Sequence, residues 1–108
     1  MKPECKDIIG VVLPAVRASV AEVMRDRYGY KQKEIAEKLG VVQVAVSKYL
    51  NGKCSEEIAL IKERIISQGL NGGVIESIVS GRKRQEIERE IDKLCDELIS
   101  VRGQFTFE

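Results

Sequence analysis

Apolar residues along this chain recur at spacings of three and four rather than two, so the pattern predicts helices throughout and an all-α fold. Val16, Val20, Val23 and Met24 mark a first helix over 11–28, closed by Gly29. Pro14 suits the first turn of that helix, or a kink if the helix begins earlier, near Ile8. Ile35, Ala36 and Leu39 line one face of a short helix over 32–39, and Val46, Tyr49 and Leu50 do the same over 42–50. The β-branched run "GVVQVAV" has strand character, but it is short and flanked by helical patterns, so a helix is the expectation there. Ser55 followed by Glu56 and Glu57 is an N-cap with acids in the first turn, opening a helix that runs to Gln68. Gly69 and "NGG" at 71–73 interrupt the chain, and 74–80 has room for two turns before Gly81.

The last helix is predicted over about 82–101. Its apolar residues Ile87, Ile91, Leu94, Leu98 and Val101 alternate at spacings of four and three, the a/d seam of a short coiled coil, while its other faces are charged. This predicts a division into residues 1–68, with a central motif at 32–52, and a helical C-terminal extension over 69–108 that pairs two copies into a homodimer through the seam while also packing on its own domain, with help from the 58–66 helix, since two heptads alone make a marginal coiled coil. Burial of the stripe within one subunit is the alternative.

Composition narrows the function. With 108 residues, 44% hydrophobic and 32% charged, the chain has the make-up of one globular domain. The longest apolar run, 8–15, is cut by Gly10 and Pro14 and falls short of the ~20 residues needed to cross a bilayer, so no membrane association is expected. The opening "MKPECKD" does not read as a signal peptide, which makes a cytoplasmic location the expectation. Cys5, Cys54 and Cys95 are widely spaced and there is no His, so the chain alone cannot furnish four zinc ligands; a cluster shared across a dimer stays open. The bland reading is reduced, partly buried thiols, with no cofactor and no metal. Without His, without an activated nucleophile and without a glycine-rich phosphate loop, the chain is not expected to be an enzyme.

Charge is unevenly spread. Residues 1–53 carry ten Lys/Arg against six Asp/Glu, while 54–108 carry eight against eleven, which points an anionic partner to the first half. That half contains the feature that organises the whole reading, Gly40. It follows Leu39 where a helix ends in a left-handed conformation, and it lets the chain turn sharply into a second helix. Ala36 is small enough to let the two helices approach, and Ile35, Leu39, Val41, Val46 and Leu50 fill the space between and beneath them. The result is a helix-turn-helix whose second helix presents Gln43, Val44, Ser47 and Lys48 outward, with Asn51 and Lys53 just beyond. Such a helix fits the major groove of DNA.

The stretch "QKEIAEKLGVVQVAVSKYLNG" resembles the lambda-repressor-like (xenobiotic-response-element type) helix-turn-helix domains through Gln32, Ala36, Gly40, Gln43, Val46 and Asn51-Gly52. "VVLPAVRASVAEVM" before it is similar to archaeal regulators of this type, some of them fused to a ligand-binding domain; with the sequence ending at 108, no small-molecule effector is expected. The resemblance implies that Gln43 reads an adenine, braced by Gln32. It also implies that Val44, where the family often has a polar residue, meets a thymine methyl, with Ser47 completing the base-reading set. Asn51 matches the family's phosphate-contacting asparagine, and Lys31, Lys33, Lys48 and Lys53 are the remaining phosphate candidates. The expected function is a sequence-specific transcriptional regulator that binds double-stranded DNA as a dimer. The rival is a protein-bridging module, coactivator- or antitoxin-like, using the same fold. The absence of acids over 42–53 favours DNA. A redox switch built on the cysteines is a third reading.

Overall fold

The computed structural model describes the backbone of residues 5–100 and the side chains from residue 10 to residue 100. Six helices follow one another: α1 (Cys5–Tyr28), α2 (Gln32–Leu39), α3 (Gln43–Leu50), α4 (Glu56–Gln68), α5 (Gly72–Val79) and α6 (Arg84–Ser100). No strand is present among the described residues, so the fold is all-α.

The axis of the fold is α1, which packs against each of the other five helices and most extensively against α4. Its sequence explains this. Val12, Ala15, Val16, Ala18, Ser19, Val20, Ala21, Val23 and Met24 are all buried, so between Val12 and Met24 the helix is apolar on most of its faces, as a central helix must be, while its last turn, Arg25 to Tyr28, is exposed. The small residues let neighbours approach closely. Pro14 lies inside the helix rather than in its first turn; it removes one N–H from the ladder at a half-buried position near the N-terminal end. Ser19, the one fully buried polar side chain of this stretch, is satisfied twice: its hydroxyl donates to the Val16 carbonyl at 2.7 Å and accepts from Asn71 Nδ2 at 3.0 Å. That pair ties α1 to the start of α5. Farther along, Lys62 of α4 donates to Glu22 of α1 at 2.9 Å. The Ser55 N-cap forms as its sequence requires, its hydroxyl accepting from the Ile58 N–H at 3.2 Å.

The C-terminal end of the described residues joins the same core. Ile87, Ile91, Leu94 and Leu98 are not an open seam; they are buried in the same cluster as the core of α1 to α4, with α6 packed against α1, α2 and α5. Val101 lies outside the described residues. A division at residue 68 therefore separates no second core: Val74, Ile75 and Ile78 of α5 and the α6 stripe complete the core that α1 organises. The physical reason is that a stripe at spacings of three and four fits a coiled-coil partner and a groove of its own domain equally well. Here α1 is apolar on enough of its faces between Val12 and Met24 to offer that groove.

Candidate nucleic-acid interface

The site begins with the turn between α2 and α3. Leu39 is buried and ends α2, and Gly40 takes φ 71°, ψ 32°, the left-handed conformation. Its N–H and that of Val41 both reach the Ala36 carbonyl, at 2.9 and 3.1 Å, which uses up an acceptor the helix end would otherwise leave unpaired. At the other end of α2, the Lys31 N–H donates to the Glu34 carboxylate at 2.9 Å. Val42 is the extended N-cap of α3 rather than its first residue. The helix is held down by Val46, which is fully buried, and by the partly buried Tyr49 and Leu50.

With that face fixed, the outer face is determined. Gln43, Val44 and Lys48 are exposed and Ser47 is half-buried beside them. Asn51 is exposed at the C-terminal end of α3, where its Nδ2 donates to the Ser47 hydroxyl at 3.2 Å and its backbone N–H to the Ser47 carbonyl. Lys31, Lys33 and Lys53 are exposed as well, while Gln32 is half-buried at the start of α2. Among the described residues no hydrogen bond joins Gln32 to Gln43, so the brace between these two glutamines is not made in the free chain. The groups outward on α3 are thus an amide, a hydroxyl, an amine and a methyl-bearing side chain, the types that hydrogen-bond or touch base edges and phosphates.

Sequence reasoning passed over one residue here. Val42 was counted only as the start of the helix, yet it is 69% exposed, and with Val44 at 64% it brackets Gln43 with two solvent-facing apolar side chains. The signal was available: of the β-branched residues in "GVVQVAV", only those on the face of Val46 can be buried by an eight-residue helix. Elsewhere, Cys54 and Cys95 are free thiols, and among the described residues no group of His, Cys, Asp or Glu is arranged to hold a metal. No described helix is long and apolar enough to cross a membrane.

Residues 23–55 match the helix-turn-helix family model, a span that runs from the end of α1 through both helices of the motif to the cap of α4. No curated protein sequence and no solved structure matches the chain. The geometry and the family match agree on the same two helices and the same glycine turn: residues 23–55 are similar to the helix-turn-helix family.

Proposed function

We propose that the protein is a sequence-specific transcriptional regulator that inserts α3 into the major groove of double-stranded DNA. The observation that carries this reading is the division of α3 into a buried anchor, Val46, and an outward face of Gln43, Val44, Ser47 and Lys48 that has no part in the core. Gln43 opens the helix and is placed to give an adenine its paired hydrogen bonds, with Gln32 swinging against it once the base fixes its orientation. Val44, and Val42 beside it, supply apolar contact to thymine methyls. Lys48, Asn51 and Lys53 on one side and Lys31 and Lys33 on the other hold phosphates. Asn51 and Ser47 act together, since their mutual hydrogen bond presets both side chains.

A single recognition helix covers few base pairs, and two-fold pairing on half-sites about one helical turn apart is the usual remedy. Pairing through Ile87, Ile91, Leu94 and Leu98 would require α6 to leave its own core. A homodimer of this chain would therefore use another surface, and among the described residues Tyr28, Leu60, Leu70 and Val79 are the exposed large apolar ones besides the two valines of the reading head.

In vitro selection of bound duplexes at stated salt tests the reading. Gln43→Ala should lower affinity for the selected site by about 1–3 kcal/mol and relax preference at one base position. Lys48→Ala should weaken all sequences alike and flatten the salt dependence by roughly one phosphate contact. An unchanged base preference in Gln43→Ala removes the assignment.

A further inference from the structure

The acidic second half of the chain contains one conspicuous exception, three consecutive cations at Arg82, Lys83 and Arg84. They lie where α5 gives way to α6, and the fold brings that junction back to the helix-turn-helix, some forty residues earlier in sequence. A Cβ built on Gly40 would sit 3.2 Å from Arg84 Cδ, 3.6 Å from Arg84 Nε and 3.1 Å from Glu88 Oε2. The first turn of α6 thus rests on the turn that delivers α3. Burial of Ile87 between these two residues fixes the rotation of α6, so Arg84 and Glu88 are held on the α2 side.

We propose that Arg82 and Lys83 form a second phosphate-contacting element beside the recognition helix, with Arg84 as the residue that seats them on the Gly40 turn. This rests on the reading that α3 enters the major groove. Three observations lead to it. Residues 80–85 are all exposed, and neither Arg82 nor Lys83 has an ion pair or side-chain hydrogen bond within the described chain. Arg84 has one, a loose 3.7 Å contact with Glu88, which leaves the local charge positive. The backbone is already fixed: Gly81, at φ 78°, donates to the Ile78 carbonyl and Arg82 to that of Ser77, each at 3.0 Å, and the Lys83 carbonyl accepts from Glu86 and Ile87. A contact made from here requires little further ordering.

The geometry of the groove supplies the partner. The major groove is about 12 Å wide and a helix with its side chains about 10–12 Å across, so phosphates press against both flanks of an inserted helix. With α3 in the groove, an element seated on the turn at its N-terminal end would meet one of those walls under this proposal. The fold also holds three cations in and just before the first turn of α6, where the helix dipole is already positive, an arrangement unfavourable in the free protein and relieved by an anion.

The test uses the full chain and the duplex found by selection. Arg82→Gln/Lys83→Gln should reduce the slope of log affinity against log salt by about 1.8, two contacts at roughly 0.9 each, and lower affinity by roughly 60-fold at 0.1 M salt, with base preference unchanged. Arg89→Gln/Lys93→Gln removes the same charge from exposed positions farther along α6 and should leave the slope as in the wild type. An unaltered slope in the first variant, or an equal loss in both, overturns the proposal while leaving the α3 reading in place. If the wild type selects no duplex at all, or Gln43→Ala leaves its preference intact, the α3 reading fails and this element falls with it.

Discussion

Ile87→Ala isolates the question of what the α6 stripe is for. Ile87 is 1% exposed and lies in the core that α6 shares with α1, α2 and α5. Truncation removes three carbon atoms, about 2.4 kcal/mol at roughly 0.8 kcal/mol per methylene. A cavity term adds to this wherever the surroundings cannot close in, and buried isoleucines cut to alanine lose about 2–5 kcal/mol in practice. Flanked by helices on three sides, this site should lose about 3 kcal/mol, a large share of the 5–15 kcal/mol typical of a domain, and its thermal midpoint should drop by at least about 12 °C. The assay is thermal unfolding followed by circular dichroism over a hundredfold range of protein concentration. Because the stripe is buried within one chain, the loss should be the same at every concentration. A stripe that instead joined two copies would couple folding to association, adding about 2.7 kcal/mol of apparent stability over that range, and the mutation would abolish this dependence. A loss below about 1 kcal/mol, or a wild-type midpoint that climbs with concentration and ceases to do so in the variant, refutes the intrachain packing of α6.

Two further predictions concern the turn and a thiol. Gly40→Ala places a side chain at φ 71° and sets its Cβ 3.1–3.2 Å from Glu88 Oε2 and Arg84 Cδ. The left-handed conformation should cost about 1–2 kcal/mol. The neighbours are flexible ends that can yield, so chemical denaturation should show a loss in that range; a neutral substitution would mean the turn does not require glycine. Cys95 is half-buried against Val12, Leu13 and Ile99, and burial, followed by the nearby Asp92 and more weakly Asp96, pushes its thiol from 9.0 up to about 11 against the opposing pull of Arg17. Alkylation of Cys95 at pH 8, followed by peptide mass spectrometry, should run about a hundredfold slower in the folded chain than in urea. Because the folded value is raised, the stabilising contribution of this thiol is complete below pH 9 and is lost as pH rises from 9 to about 11. Equal alkylation rates in the two states would contradict the burial of the sulfur.

How much of this was legible in the sequence depended on the range of the interactions involved. The end of α2 at Leu39, the glycine turn and the Ser55 cap rest on bonds spanning three to five residues, and their chemistry is written in adjacent letters. The outward placement of Gln43, Val44 and Lys48 followed from the same local period once Val46 was placed inward. The covering of α6 did not follow, because its stripe states which face is apolar and not what lies on it. Nor did the burial of α1 on most sides between Val12 and Met24: Ala15, Ala18, Ser19 and Ala21 contribute little to a hydrophobic pattern, yet they are small enough to let other helices close over them. The approach of Arg84 to Gly40 was invisible for the same reason, being set by how α6 docks and by nothing in either segment alone.

The separation of duties within α3 bears on how such a protein can change its target. Eight residues carry both the attachment of the helix and the chemistry it shows to a partner, and the two sets barely overlap: Val46 is the only fully buried member, supported by Tyr49 and Leu50. Substitutions at 43, 44 and 48 therefore remove nothing from the core and alter no cap, so surface-level effects of about 0.5 kcal/mol or less on stability are all they should bring. On the proposed reading of α3, changes at 43 and 44 would explore new operator sequences one position at a time without passing through unfolded intermediates, and a designer would vary those side chains while leaving Ala36, Gly40 and Val46 alone.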